Sequence, residues 1–131
     1  MEKTCVLVVD DNKTNRDLYM DLLEMTPFSG VALNDGLHAV DMVRRHRPGL
    51  VLMDINLPGR SGMEVTADII TALGDEAPPI LAMTASALPD LIEQLQSHGF
   101  AGLVTKPCGV STFLAAVTWG MTGKPQGFKL F

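Results

Sequence analysis

The chain has 131 residues, of which 47% are hydrophobic, and its formal net charge is −5. This length and apolar content predict one folded domain with a real core, and they exclude a disordered chain. The acidic balance argues against direct binding to nucleic acid, which requires a basic surface. No apolar run reaches the ~18 residues of a membrane span, and the first residues lack the features of a secretion signal. The two cysteines, Cys5 and Cys108, have neither metal-ligand spacing nor a disulfide framework, so we expect a cytoplasmic protein.

Short apolar runs alternate with helix-like segments along the chain. In chain order, the apolar runs predict strands at residues 4–9, 30–33, 50–53, 79–83 and 102–105. Helical spacing predicts helices between and after them, at about residues 14–25, 36–46, 61–73, 88–98 and 110–120. Regular alternation of strand and helix is typical of parallel strands with right-handed crossovers. We therefore predict an α/β fold, a doubly wound five-stranded parallel sheet of flavodoxin-like order 2-1-3-4-5, with five helices on both faces.

Helical spacing also predicts which side chains of the helices are buried. Leu18, Leu22 and Met25 form one apolar stripe of the first helix, and Leu37 begins the stripe of the second. Gly99 is placed to end the fourth helix.

The domain is predicted to span residues 1–121, which leaves residues 122–131 as a tail or linker stub. Glycine and proline in this tail predict irregular backbone. Phe128, Leu130 and Phe131 are unusual for a disordered end. The tail therefore either packs back on the domain or leads into a longer protein.

Polar residues follow four of the predicted strands. Asp10 and Asp11 follow the first, Asp54 the third, Thr84 the fourth and Lys106 the fifth. The carboxyl ends of parallel strands meet at one edge of the sheet, so these side chains should converge. Three crowded carboxylates repel one another, and without a cation at least one would take up a proton or cost stability. The cluster therefore predicts a site for Mg²⁺, with Mn²⁺ as the alternative ion, and for a phosphoryl group.

A carboxylate can act as a nucleophile and form an acyl phosphate, which makes Asp54 the predicted acceptor. Mg²⁺ and Lys106 would neutralise the phosphoryl oxygens from two sides, and Thr84 would donate a hydrogen bond to one of them. Asn56 could offer its backbone carbonyl to the metal. A cis peptide bond before Pro107 would aim the lysine across the site, and we predict one there.

Each of these residues also has a plainer interpretation. Asp11 or Asn12 could cap the first helix, and Thr84 could cap the fourth. Lys106 could be a surface lysine whose stem lies along apolar side chains.

Taken together, these motifs resemble the receiver domain of two-component response regulators. The resemblance covers about residues 5–120, and its carriers are residues 8–12 with Asn15 and Arg16, then 53–59, 61–63, 83–85 and 105–107. It implies that Asp54 accepts a phosphoryl group from a histidine kinase or a histidine phosphotransfer protein. It also implies that Asp11, Asp54 and the Asn56 carbonyl contact Mg²⁺ directly, whereas Asp10 binds the ion through a water molecule.

The resemblance assigns the phosphoryl oxygens to Thr84 and Lys106 and implies a switch rather than an enzyme, apart from catalysis of its own phosphorylation and dephosphorylation. The signal would change the surface of helix four, strand five and helix five. One position departs from the family, which usually has an aromatic residue three positions before the lysine. Leu103 stands there instead. The phosphorylation chemistry should survive this change, but the chain lacks the aromatic side chain that usually gates the signal.

Leu103 motivates an alternative, a pseudo-receiver that acts as a phosphorylation-independent interaction module. A phosphatase with an aspartyl-phosphate intermediate is disfavoured because such enzymes commonly have a second aspartate where this chain has Asn56. A flavin-binding relative is also disfavoured, since Asp10 and Asp11 would repel a phosphate. The output partner, the pathway and the oligomeric state are not encoded in any recognisable motif.

Overall fold

The computed structural model describes residues 4–122 and 127–131, which form one open sheet between two layers of helices. The strands are Cys5–Val9 (β1), Ser29–Leu33 (β2), Leu50–Asp54 (β3), Ile80–Thr84 (β4), Gly102–Thr105 (β5) and Lys129–Leu130 (β6). The helices are Lys13–Leu23 (α1), Ala39–His46 (α2), Gly62–Leu73 (α3), Pro89–Ser97 (α4) and Val110–Met121 (α5), with a 3₁₀ helix at Gly74–Glu76. All neighbouring strands pair in parallel, so their carboxyl ends lie along one edge.

The predicted parallel α/β fold with five α-helices is confirmed. The predicted number of strands is wrong, because the described residues form six strands in the order β2-β1-β3-β4-β5-β6. The prediction left β5 as an open edge, and an open edge carries unpaired backbone groups that attract another strand. Gly127, with a φ of 76°, lies just before β6, in a backbone conformation that glycine adopts readily. Irregular backbone is therefore the wrong prediction for Lys129–Leu130, while residues 123–126 lie outside the described residues.

The core has two layers, one on each face of the sheet. Leu7 and Val9 pack in the layer covered by α2, α3 and α4, whereas Val6 and Val8 pack in the layer covered by α1 and α5. Successive residues of a strand point to opposite faces, and here both faces are covered. This explains why the central strands are apolar throughout instead of alternating with polar residues.

The buried faces of the first two helices differ from the prediction. Leu18 is 49% exposed and Met25 is 64% exposed, and Tyr19 is buried instead, where it stacks on Phe113 with ring centroids 5.3 Å apart. The helix ends before Met25, so the predicted stripe extended one turn too far. Leu37 is 77% exposed because α2 begins only after it.

Thr66 on α3 provides a stability prediction. Its hydroxyl oxygen is fully buried and has no hydrogen-bond partner within the described parts of the chain. A buried polar group without a partner costs about 1–3 kcal/mol, so we expect Thr66→Val to raise the free energy of unfolding by about 1 kcal/mol. Urea denaturation measures this change, with Thr71→Val at an exposed position of the same helix as the control. A loss of stability specific to Thr66→Val would contradict the prediction.

Candidate functional site

Three carboxylates from two neighbouring strands meet at the carboxyl edge of the sheet. One oxygen each of Asp10, Asp11 and Asp54 can be chosen so that all three lie within 4.8 Å of one another. This proximity follows from the parallel register of β1 and β3, in which Val9 pairs with Met53. Asp10 and Asp54 are buried, whereas Asp11 is exposed and faces solvent at the rim.

Asp10 is the most heavily bonded of the three. Its Oδ1 accepts a hydrogen bond from the Asn12 backbone N–H at 2.9 Å, and its Oδ2 accepts a longer one from the Asn15 side-chain amide at 3.4 Å. Arg16 donates to the Asp10 backbone carbonyl at 2.8 Å. Hydrogen bonds to both the side chain and the backbone of Asp10 therefore stabilise the turn after β1.

The supporting residues Asn15 and Arg16 were part of the sequence resemblance, but no role was predicted for them. Their signal was their position in the first turns of α1, directly after the acidic pair. Asn12 caps this helix by accepting the Asn15 backbone N–H at 3.0 Å. Of the two candidate caps, Asn12 thus fills the position and Asp11 is left free for other contacts.

Lys106 lies between two of the carboxylates. Its Nζ is 3.2 Å from Asp10 Oδ2 and 3.6 Å from Asp54 Oδ1. The side chain is 19% exposed, which does not fit the interpretation as an ordinary surface lysine. The Lys106–Pro107 peptide bond is cis.

Asp54 is held at the end of β3 in an unfavourable electrostatic environment. Its Oδ1 accepts the Asn56 backbone N–H at 3.0 Å. Burial raises the pKa of the Asp54 carboxyl above its ordinary value, and the charges of Asp10 and Asp11 raise it further. The Asn56 N–H and the Lys106 ammonium oppose this rise without cancelling it. A bound cation would relieve the repulsion.

Gly62 at the start of α3 supports the backbone beside Asp54. A Cβ at this position would collide with the Asp54 carbonyl oxygen and lie 2.9 Å from the Ile55 Cα. The Gly62 N–H donates to the Ile55 carbonyl at 3.0 Å. The missing side chain thus allows α3 to approach the strand end that carries Asp54.

Thr84 lies buried at the end of β4, in register with Thr105 of the neighbouring strand. Its Oγ1 accepts the Ser86 backbone N–H at 3.3 Å, and its backbone carbonyl accepts the Lys106 N–H at 2.7 Å. The predicted alternative of a helix cap is wrong, because α4 begins later and Leu88 occupies its cap position.

The remaining predicted residues lie at the rim and beneath the site. Asn56 is exposed in the loop after β3. Leu103 is fully buried and packs in the layer covered by α2, α3 and α4. Its register partner on β4 is Ala82, so Leu103 lies below Thr84 and not beside it.

The donors gathered at this edge fit a hard cation. They are oxygens of three carboxylates, and Asn56 can add a backbone carbonyl from the rim. Mg²⁺ and Mn²⁺ prefer oxygen ligands of this kind. The Lys106 ammonium supplies a second positive centre on the side of β5.

Comparison with known proteins identifies the family. A model of the response regulator receiver domain matches residues 6–118. This chain belongs to the response regulator receiver family. This chain is 36% identical over 112 residues to the polar-differentiation response regulator DivK of Brucella anthropi. The alignment covers 86% of this chain and 91% of that protein. DivK of Brucella ovis is 35% identical over the same shares of both chains.

Solved structures show the same fold at lower sequence identity. The chemotaxis protein CheY4 of Vibrio cholerae superposes with a TM-score of 0.84 at 23% identity and covers 90% of this chain and 98% of that one. A chain in the co-crystal structure of the Saccharomyces cerevisiae histidine phosphotransfer protein Ypd1 with the receiver domain of Ssk1 has a TM-score of 0.83 at 24% identity. That match covers 95% of this chain and 93% of the other.

In the segments 4–122 and 127–131, no helix has both the length and the apolar character that a membrane crossing needs.

Gly62 yields a prediction about how the site is supported. Gly62→Ala should lower the free energy of unfolding by about 1–3 kcal/mol, because the added methyl meets backbone atoms that cannot move aside. Denaturant unfolding measures the loss. Gly109→Ala is the matched control, since a Cβ at Gly109 has no neighbour within 4 Å. Equal stability of the two variants would show that α3 does not depend on this close approach.

The raised pKa of Asp54 yields a prediction about pH. Because the pKa of Asp54 is higher in the native state than in the unfolded state, the native state binds more protons. The free energy of unfolding therefore decreases as the pH rises from the ordinary aspartate pKa of ~3.9 through the native pKa. Asp54→Asn removes this penalty. In EDTA, we expect Asp54→Asn to have a higher free energy of unfolding than the wild type. This difference should grow across that pH range and then level off.

The control for this experiment is Asp17→Asn, which alters an exposed carboxylate on α1. Its difference from the wild type should stay small, because exposed ion pairs contribute little to stability. An advantage of Asp54→Asn that shrinks with rising pH would contradict the electrostatic account.

Proposed function

We propose that this receiver domain is a phosphorylation-dependent signalling switch whose acceptor is Asp54. The phosphoryl donor is a phosphohistidine on a histidine kinase or a histidine phosphotransfer protein. The observation that carries the proposal is the meeting of three carboxylates within 4.8 Å beside the Lys106 ammonium. Family membership supports the same function.

In the proposed reaction, an Asp54 carboxylate oxygen attacks phosphorus, and the phosphorus–nitrogen bond of the phosphohistidine breaks. An acyl phosphate forms, and the imidazole leaves with the electron pair and takes up a proton. In the dephosphorylation step, water attacks phosphorus and the acyl phosphate bond breaks. This step releases inorganic phosphate and restores the Asp54 carboxylate. Phosphoryl transfer of this kind depends mainly on positioning and on neutralising charge.

Asp11, Asp54 and the Asn56 carbonyl are the proposed direct ligands of Mg²⁺, and Asp10 would bind it through water. The bound ion would neutralise charge on the transferring oxygens. The bonds from Asn12, Asn15 and Arg16 keep Asp10 in place as this charge changes. That support matters because a misplaced group costs rate in a reaction that relies on positioning.

Lys106 and Thr84 are the proposed contacts of the phosphoryl oxygens. The Lys106 ammonium already lies 3.6 Å from Asp54 Oδ1, so a short movement brings it to the new group. Thr84 Oγ1 accepts the Ser86 N–H and retains its own hydrogen for donation. A hydrogen bond from Thr84 to the phosphoryl group would shift the loop after β4 and change the α4–β5–α5 surface. The predicted absence of direct nucleic-acid binding and the cytoplasmic location stay predictions.

A second candidate, the pseudo-receiver, is favoured by one observation. Leu103 is fully buried where the family usually has an aromatic residue, and it lacks a hydroxyl. In this alternative, the domain binds its partner without phosphorylation. The two candidates differ in whether Asp54 becomes phosphorylated at all.

The test is labelling with a small phosphodonor such as acetyl phosphate in the presence of Mg²⁺. We expect a mass gain of one phosphoryl group, located on Asp54 by peptide mapping, and loss of this gain in EDTA. Asp54→Ala should abolish labelling while circular dichroism shows that the fold persists. Mn²⁺ should support the reaction in place of Mg²⁺.

Asp17→Ala is the matched control, because it removes an exposed carboxylate on α1 that pairs with Lys13. It should label at the wild-type rate. Normal labelling of Asp54→Ala would move the acceptor to another residue. A folded wild type that gains no mass and does not bind beryllofluoride with Mg²⁺ would support the pseudo-receiver.

A further inference from the structure

We propose that residues 127–131, the docking segment, pair reversibly with the edge of β5 and that phosphorylation of Asp54 weakens this pairing. The edge of β5 is then a strand-binding surface whose occupant is the chain's own docking segment. This inference rests on the proposed function for its trigger but not for the docking itself. Four features of the described residues carry it.

The first feature is the backbone pairing at the edge. The Lys129 N–H donates to the Ala101 carbonyl at 3.1 Å, and the Phe131 N–H donates to the Leu103 carbonyl at 2.9 Å. The register places Leu130 beside Leu103. The docking segment is thus bonded to the residue at the position where the family usually carries its aromatic switch.

The second feature is the space that lets the segment approach. A Cβ on Gly102 would collide with the Lys129 carbonyl oxygen and lie 3.0 Å from the Leu81 side chain. The leucine could turn away, but a backbone carbonyl in a paired strand could not. Gly102 therefore makes the edge of β5 accessible at the point where β6 begins.

The third feature is the side-chain anchoring of the segment. The Phe131 ring meets the Trp119 ring edge to face, with centroids 5.5 Å apart, and the Lys129 Nζ lies 5.4 Å from the Phe131 ring centroid. Phe128 packs against the layer covered by α2, α3 and α4. Leu130, by contrast, is 56% exposed and contributes little burial.

The fourth feature is that the docking segment is held by only a few contacts. The strand has two residues, both exposed, and each backbone hydrogen bond that it makes to the β5 edge contributes only about 0.5–1.5 kcal/mol. Segments with few buried contacts open locally at a low free-energy cost. The docking segment is anchored well enough to dock and weakly enough to be released.

The connection to the phosphorylation site runs along β5. Lys106 follows this strand directly, Thr105 pairs with Thr84, and the Lys106 N–H is bonded to the Thr84 carbonyl. A displacement of Thr84 and Lys106 toward the phosphoryl group would therefore move the end of β5. The same four-residue strand pairs with the docking segment along its other edge. Because the strand is short, a shift at its end changes the positions of the carbonyls that β6 uses.

Docking is tested first without phosphorylation, by hydrogen exchange on the full chain. Gly102→Ala should accelerate exchange of the Lys129 and Phe131 amides by about tenfold or more, which corresponds to ~1.4 kcal/mol. Emission of Trp119, the single tryptophan, should shift to longer wavelength as Phe131 leaves it. Gly109→Ala is the control and should change neither readout. Unchanged exchange in a folded Gly102→Ala would overturn the docking.

If Gly102→Ala does not fold, a second pair of variants tests the same contact. Phe131→Ala removes the ring that packs on Trp119, whereas Leu130→Ala removes an exposed side chain of the same segment. The first should accelerate exchange of the Lys129 amide, and the second should leave it near the wild-type rate. Equal effects would contradict the proposed anchoring.

The coupling is tested on the wild type after acetyl phosphate and Mg²⁺ treatment, with the mass gain on Asp54 measured in the same sample. We expect faster exchange at Lys129 and Phe131 only in the phosphorylated fraction. Coupling is reciprocal, so Gly102→Ala should bind beryllofluoride with Mg²⁺ about fivefold or more tightly than the wild type does.

The possible failures are distinguishable. A mass gain on Asp54 with unchanged exchange at Lys129 and Phe131 overturns the coupling and leaves the proposed function standing. Absence of any mass gain overturns the proposed function and the coupling together. The exchange rates of Gly102→Ala decide the docking in both cases.

Discussion

The repulsion among three carboxylates at one sheet edge is the constraint on which the site depends. Asp10 and Asp54 are buried beside each other, and Asp11 completes the group at the rim. The Lys106 ammonium and several N–H donors offset part of this repulsion, but burial, together with the charges of Asp10 and Asp11, still raises the pKa of Asp54. A cation and a phosphoryl group would therefore enter an environment already arranged for them, which is how preorganised sites avoid reorganisation during the reaction.

The sheet supports this crowding because its core is formed by apolar side chains and not by the charged residues of the site. Both faces of the central strands are covered, so apolar packing holds the strand ends that carry the charges. Gly62 then brings α3 against the backbone of Asp54, and Arg16 ties α1 to the backbone of Asp10. The helices thus help to position the acidic residues through their main chain, in addition to the hydrogen bonds that the carboxylates accept.

The sequence predicted the features that depend on local pattern. Apolar runs located the five long strands, and the parallel arrangement brought Asp10, Asp54 and Lys106 together as expected. It failed where distant contacts decide. β6 forms because β5 offers an open edge, and two residues carry no strand pattern of their own. The stacking of Tyr19 on Phe113 likewise joins helices far apart in the chain, so the buried face of α1 could not be read from α1 alone.

The shortness of β6 also limits how copies of the domain could associate through their sheets. Growth of a continuous sheet across many molecules needs a receptive strand on both flanks of each copy. A two-residue strand offers few unpaired groups on one flank, so the longer β2 is the better template. The short strand β6 therefore leaves fewer unpaired backbone groups at its flank of the sheet than a longer edge strand would.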